Sequence, residues 1–198
     1  MDGIKKKVKE KIKMYSKEEY LNGYIKNEFL TDDGRADILL NIDKEEDLFD
    51  SRTSEPQLAI NNNIYEYIDE KSSMLNNDIY LKLCIIGGVF NPKDKGKIKH
   101  IISEHYAIEL YKAQKEYKRY KNKIFALVLS GLFFLTCYAI IALNFSSKFF
   151  IEVFGFLFSF TLWEAFETYI YTFNDIKLER ESITQKLLMD VEFTNKEN

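Results

Sequence analysis

The sequence predicts a membrane α-helical hairpin of two transmembrane helices and a small cytoplasmic α+β domain that contains at least two strands. Residues 124–145 contain no charged side chain, and a second apolar stretch follows almost at once. The N-terminal half instead alternates short strand-like and helical patterns. In chain order the predicted segments are a basic amphipathic helix (1–31), the α+β domain (32–97), a juxtamembrane amphipathic helix (98–123), two transmembrane helices (124–145 and 149–171), and a cytoplasmic C-terminal helix and tail (172–198).

Composition narrows the class of protein. The 198 residues have a formal net charge of −3, whereas nucleic-acid binders usually carry a marked basic excess, so no nucleic acid is expected as a partner. The two cysteines, Cys84 and Cys137, lie in apolar runs and are interpreted as buried small hydrophobes. The basic N-terminus has no apolar core behind it, so it is not a signal peptide and the first span should direct insertion.

The first 30 residues show a helical pattern. Ile4, Val8 and Ile12 recur at near-helical spacing among many lysines. Such a helix can lie on anionic lipid, at roughly 1 kcal/mol per basic residue near the surface. The alternative is a solvated helix or a frayed tail, and the sequence does not decide between the two.

The α+β domain is predicted from two strand-like runs with a helix between them. The runs are Ala36–Ile42 and Ile79–Ile86, and Ile64, Tyr65 and Ile68 mark the helix, which one of the asparagines at 61–63 should cap. A parallel pairing of the strands is expected. Alternation places one set of side chains in a shared core: Ile38, Leu40, Ile79, Leu81, Leu83 and Ile85.

A second helix is predicted to follow Gly87-Gly88 and Pro92, and to run from about Asp94 into the first span. The two glycines favour a plain turn over a phosphate-binding loop, because the fuller glycine spacing is missing. His100 and His105 lie five residues apart, on different helix faces, so they do not form a metal-binding pair. We expect His105 in the core or an interface, and His100 in solvent.

The two spans differ in polarity. A helix over the 22 residues of 124–145 would reach about 33 Å, enough for a hydrocarbon core of roughly 30 Å. The second stretch carries Glu152, Glu164 and Glu167 near its ends, where headgroups or water are within reach. Two antiparallel spans are favoured over a soluble helix pair, which would leave the first span's other faces exposed to water.

The distribution of basic residues predicts the orientation. Before the first span, residues 111–123 hold six basic side chains and one acid, whereas Lys148 is the one basic residue between the spans. Both termini should therefore face the cytoplasm across the plasma membrane. Trp163, Tyr169 and Tyr171 fit an aromatic belt. The residues predicted to meet the lipid surface are Lys112, Lys115, Lys118 and Arg119.

Glu164, Glu167 and Ser130 are the candidate intramembrane polar residues. The two glutamates share a helix face, and in an antiparallel hairpin Glu167 should lie near the depth of Lys123, with Glu164 near Ser130. An ionisable group at membrane depth suggests function. The preferred interpretation is structural, with Lys121 or Lys123 as ion-pair partners that fix the hairpin. A metal site is not expected, because the further ligands it needs are missing.

The sequence contains several short motifs: Asp47-Leu48-Phe49-Asp50, residues 65–68, Trp163-Glu164-Ala165 and the charged helix to Phe193. With these motifs the chain resembles a group of uncharacterised two-span membrane proteins of low-GC Gram-positive bacteria that have a cytoplasmic N-terminal domain. The resemblance spans roughly residues 36–193, implies this architecture and transfers no active site. The order of long helix, span, span and helix is also similar in topology to SLATT-type two-span effectors.

No catalytic motif is recognised in the sequence, so we expect neither an enzyme nor a cofactor. Two functional classes remain. The first is a membrane-anchored binding or scaffold protein whose cytoplasmic domain takes a protein or small-ligand partner. The second is an oligomeric pore or membrane-disrupting effector gated by that domain, which requires homo-oligomers because two spans cannot enclose a channel. We favour the first, because the spans show no continuous polar stripe.

Overall fold

A computed structural model of the chain describes residues 11, 13, 23–25, 28–42, 44–54, 56–87, 90–144 and 147–194. Most of the predicted basic amphipathic helix (1–31) lies outside the described residues, as does Gly88. The chain divides into two compact units. The sheet unit comprises residues 1–107 and 184–198, and the hairpin unit comprises residues 108–183.

The described elements follow one another in a simple order. Strand β1 (Ala36–Ile42) is followed by α1 (Asn62–Ser73), β2 (Leu81–Gly87) and the long helix α2 (Pro92–Asn144). Helix α3 (Lys148–Glu167) continues through a π-helical segment (Thr168–Phe173) into α4 (Asn174–Leu187), and β3 (Asp190–Thr194) ends the described chain. The prediction of a helix that runs into the first apolar stretch is confirmed by the 53 unbroken residues of α2.

The described strands form one parallel sheet in the order β1-β2-β3. Residues Ile38 and Leu83 are paired in register, and Leu83 is also paired with Val191. The predicted parallel pairing of the first two strands is confirmed. Because parallel neighbours need a crossover connection, α1 links β1 to β2, whereas the whole of α2, α3 and α4 is inserted between β2 and β3.

The C-terminal end differs from the prediction, which had a helix and tail over residues 172–198. Residues 190–194 are a strand, and they belong to the same compact unit as the N-terminal half. The reason is the alternation of Val191 and Phe193 with polar neighbours. Val191 is buried and Phe193 packs against the core, while Asp190 and Glu192 stay exposed.

One hydrophobic core holds the sheet unit together. One face of the sheet supplies Ile38, Leu81, Leu83 and Ile85, all almost fully buried, with Leu40 and Ile79 packed at its margin. This confirms the predicted core set. The helices add buried side chains at helical spacing, one or two turns apart: Ile64 and Ile68 on α1, and Ile98, Ile102 and Tyr106 on α2.

Local polar contacts fix the ends of the helices. The Asn61 side chain accepts a hydrogen bond from the backbone N–H of Asn63, so the predicted asparagine cap of α1 is confirmed. Asn91 caps α2 in the same way, through the backbone N–H of Lys93 at 3.3 Å.

Gly87 ends β2 at φ +137°, and an added Cβ would lie 1.8 Å from the carbonyl oxygen of Ile42. This close backbone approach accounts for glycine at position 87 without a bound phosphate.

Candidate functional site

The hairpin unit is formed by the apolar part of α2 together with α3, and within the described residues these are the two helices long and apolar enough to cross a membrane. In the most apolar 18-residue window of each, only 6% of the residues are buried. Large apolar side chains such as Phe133, Leu143 and Phe156 are therefore exposed. The helix that carries them would be unusual in water, because a soluble helix normally buries its apolar face.

Contacts along the two helices show that they run antiparallel. Near the turn, Phe134 of α2 meets Phe154 of α3, with ring centroids 6.3 Å apart. Further from the turn, Gly131 packs closely against Leu162, where an added Cβ would come within 3.3 Å of the leucine side chain. The helices approach closely at glycine, as is common between membrane helices.

Lys123 joins the two helices at the end of the hairpin remote from the turn. Its Nζ lies 2.9 Å from Glu164 Oε1 and 3.4 Å from the Thr168 hydroxyl. Glu164 and Thr168 are four residues apart, so they share the face of the helix that meets α2. Both charged side chains remain partly exposed, at 47% for Lys123 and 37% for Glu164.

The other candidate residues are not part of the Lys123–Glu164 ion pair. Glu167, Lys121 and Ser130 are all exposed, and within the described residues neither Glu167 nor Lys121 has an ion pair. The sequence comparison of depths placed Glu167 near Lys123. The residue that pairs with Lys123 is instead Glu164, about one helical turn closer to the hairpin turn. The reason is the helix face: Glu164 shares a face with the buried Thr168, whereas Glu167 is turned away from α2.

Polar side chains inside the apolar stretches are bonded to their own helices. Thr136, Asn144, Ser159 and Thr161 each donate to the carbonyl four residues earlier, at distances of 2.6–2.9 Å. Such bonds satisfy a hydroxyl or amide without water or a partner helix. These four residues can therefore lie in hydrocarbon without a further hydrogen-bond partner for the donated proton.

A cluster of aromatic and cationic side chains lies at the end of the hairpin unit that is remote from the turn. The Arg180 guanidinium carbon lies 4.2 Å from the Tyr117 ring centroid, and Arg180 Nη1 donates to Gln114 Oε1 at 3.3 Å. The Tyr117 ring also meets Phe173, with centroids 4.9 Å apart. Phe173 ends the π-helical segment, and such segments are frequent at functional sites. The predicted lipid-surface residues Lys112, Lys115, Lys118 and Arg119 are all exposed.

The sheet unit contains a polar cluster that the sequence did not reveal. Lys186 is buried, lies 2.6 Å from Asp69 Oδ1, and stands over the Tyr106 ring. The Tyr106 hydroxyl donates to the same carboxylate at 3.3 Å. Burial, followed by Asp69, raises the pKa of Tyr106, so its phenol stays protonated and keeps donating. The three residues are distant in sequence, and each alone is an ordinary residue type at its position.

His105 lies beside this cluster, half-buried, as the sequence led us to expect. Its ring stacks on Tyr65 with centroids 3.7 Å apart, while His100 is exposed. Burial raises the pKa of Tyr65 to about 12. In the part of the chain that the structure describes, no three His, Cys, Asp or Glu side chains are grouped to hold a metal ion.

Comparisons with protein-family models, with curated proteins and with solved structures give no match to this chain.

Proposed function

We propose that this chain is a two-span protein of the plasma membrane, with both termini in the cytoplasm, that acts as a non-enzymatic anchor and binding scaffold. The observation that carries the proposal is the exposure of the hairpin unit, where only 6% of the residues in the most apolar 18-residue stretch of each helix are buried. Exposed apolar surface costs roughly 25 cal/mol per Å² in water, and a bilayer removes that cost.

Helix α2 itself supplies the comparison that supports insertion. In the sheet unit its apolar residues Ile98, Ile102 and Tyr106 lie on one face and are nearly fully buried. In the hairpin unit exposed apolar side chains lie on opposite sides of the same helix, as with Phe133 and Leu135, which are two residues and about 200° apart. A helix that is apolar all round is typical of a membrane span.

The internal hydrogen bonding of the spans supports an anchor over a pore. A conducting path needs polar groups free to replace the hydration of an ion. The hydroxyls of Thr136, Ser159 and Thr161 donate their protons to carbonyls of their own helices, so these protons are not available to bind an anion. Glu164, which an ion path would use, is paired with Lys123.

We place the partner of the scaffold, a protein or a small ligand, beside Leu39 on the second face of the sheet. Parallel sheets are usually covered on both faces. Here one face packs on the core. On the other face Cys84 is buried, whereas its register partner Leu39 is 51% exposed, and Lys82 and Glu192 form an ion pair at 2.9 Å. An exposed apolar side chain on the same sheet face as an ion pair suits a protein or small-ligand partner.

Membrane insertion is tested by expressing the full chain and separating membranes by flotation, followed by alkaline extraction. We expect the protein in the floated fraction after extraction, because two apolar spans resist conditions that release surface-bound proteins. Recovery of a soluble chain after alkaline treatment would overturn the anchor.

The orientation predicts the labelling of single cysteines in intact cells. In a background with Cys84 and Cys137 replaced by serine, Ser147→Cys should react with an impermeant thiol reagent, whereas Tyr20→Cys and Asn195→Cys should not. The reason is the excess of basic residues before the first span, which holds that flank in the cytoplasm. Permeabilised cells, where all three should react, are the control. Labelling at 20 and 195 without 147 would invert the topology.

Substitution of the two glutamates distinguishes a membrane anchor from a pore. Replacing both Glu164 and Glu167 with glutamine should leave insertion unchanged, because glutamine keeps shape and hydrogen bonding and a partly exposed ion pair is worth about 0–1 kcal/mol. Neither wild type nor the double variant should pass ions when reconstituted in vesicles at several protein-to-lipid ratios. Vesicles opened by a pore-forming peptide provide the positive control. Ion flux from wild type that disappears in the variant would favour the oligomeric pore instead.

A further inference from the structure

An apolar groove runs along one side of the hairpin unit, between α2 and α3. Its volume is about 590 Å³, within the range of roughly 300–1,000 Å³ typical of sites for small ligands. The side chains that form its walls are Ile124 and Val128 of α2 and Phe158, Leu162, Trp163 and Phe166 of α3. Its lining residues extend from Phe158 of α3 to Tyr169, about 16 Å along the helix, a length that suits an extended apolar chain.

The walls of the groove offer little to a polar ligand. Ser159 also contributes to the lining, but its hydroxyl already donates to the Gly155 carbonyl at 2.9 Å. Tyr169 adds a ring beside Phe166 and Ala165. Burial of hydrocarbon against such walls is favourable by about 0.8 kcal/mol per CH₂ group. The lining therefore selects an aliphatic chain.

Basic residues lie in line with one end of the groove. Lys121 precedes Ile124 by three residues and Val128 by seven, so all three share one face of α2. Lys118 precedes Lys121 by three residues, so the two lysines are neighbours on the surface of α2. Both lysines are exposed, and within the described residues neither has an ion-pair partner. Lys123 is different, because it lies on the other side of α2 and is held by Glu164.

We propose that this groove binds one acyl chain of an anionic phospholipid, whose phosphate is held by Lys121 and Lys118. The apolar walls favour an acyl chain, and Lys121 and Lys118 beyond the end of the groove favour an anionic headgroup. The site rests on the proposed membrane insertion. It also matches the proposed orientation, because this end of the hairpin would lie in the cytoplasmic leaflet, where anionic lipids concentrate.

Trp163 provides a direct probe, because it is the only tryptophan in the sequence and lines the groove. The full chain is reconstituted in mixed phosphatidylcholine and phosphatidylglycerol vesicles in which one lipid at a time carries brominated acyl chains, at equal mole fraction. Two cations at the headgroup predict that brominated phosphatidylglycerol occupies the groove at least about fivefold more often than brominated phosphatidylcholine. Quenching of Trp163 should follow that preference.

The matched variants distinguish a built site from general attraction to a basic protein. The double variant Lys118→Gln/Lys121→Gln should lose the preference for phosphatidylglycerol. Lys112→Gln/Lys115→Gln removes the same charge and should keep it, because Lys115 precedes Ile124 by nine residues and lies on the opposite face of α2. Equal quenching by the two brominated lipids, or equal loss in both double variants, would overturn the site.

Flotation of the same samples separates failure of the site from failure of the anchor. If the protein floats with the vesicles but neither brominated lipid quenches Trp163, a second copy of the chain covers the groove, and the lipid site is wrong while the anchor stands. If the protein does not float, the membrane anchor itself is wrong.

Discussion

Replacing Leu83 with aspartate should abolish stable folding of the sheet unit. Leu83 has no exposed surface and lies in the central strand, paired with Ile38 on one side and Val191 on the other. The change removes about 2–3 kcal/mol of favourable apolar burial. It also places a carboxylate in the core, where no described side chain of the hydrophobic cluster carries a positive charge to pair with it. We expect a loss of at least about 4 kcal/mol in the free energy of unfolding.

Cys84 reports this loss, because it is buried in the same strand and burial raises the pKa of its thiol. In the full chain with Cys137 replaced by serine, the labelling rate of Cys84, divided by its rate in denaturant, measures opening of the sheet. A loss of about 4 kcal/mol corresponds to a rate roughly a thousandfold higher.

Leu39→Asp is the matched control for this substitution. Leu39 lies on the neighbouring strand but is 51% exposed, on the face of the sheet turned away from the core. Because Leu39 is the register partner of Cys84, the effect of its replacement is measured by denaturant unfolding and not by labelling. The free energy of unfolding should fall by less than about 1 kcal/mol, since an exposed substitution usually costs little. Equal losses of unfolding free energy in the two aspartate variants would show that Leu83 does not face the core.

The sequence predicted the sheet as far as local pattern reaches. Residues Ala36–Ile42 form the first strand with the predicted bounds, and alternation in both runs identified the side chains that share the core. Strand β3 shows the limit of that approach. Its alternation covers only Val191 and Phe193 next to a charged helix, and its partner β2 lies about 100 residues earlier, before the whole inserted hairpin. A five-residue signal does not indicate so distant a partner.

The candidate site was predictable in kind but not in detail. The sequence placed Glu167 near the depth of Lys123 and Glu164 near Ser130, and it named Lys121 or Lys123 as the ion-pair partners of the glutamates. Lys123 pairs with Glu164 because Glu164 lies on the face of α3 that meets α2. The close packing of Gly131 against Leu162 belongs to the same helix contact. The cluster of Lys186, Asp69 and Tyr106 could not be found at all, since each contact joins residues from separate elements that only the folded chain brings together.

Replacing Gly87 with alanine should be nearly as damaging as the aspartate at position 83, although it adds one methyl group. Gly87 has φ +137°, which side chains rarely adopt, and its new Cβ would lie 1.8 Å from the Ile42 carbonyl oxygen. Ile42 is the register partner of Gly87, so neither backbone can move without disturbing the last pair of the β1–β2 ladder. Strain of this kind predicts a loss of about 3 kcal/mol or more.

The labelling rate of Cys84 again measures the effect, because Cys84 lies three residues before Gly87 in β2. The expected increase is at least about a hundredfold. Gly96→Ala is the control and should act in the opposite direction. Gly96 lies in α2 with open space around its Cα, so alanine there should gain about 0.5–1 kcal/mol of helix stability. A labelling rate unchanged by Gly87→Ala would mean that the strand ends do not approach as closely as the structure places them, and that the glycine at position 87 has another cause.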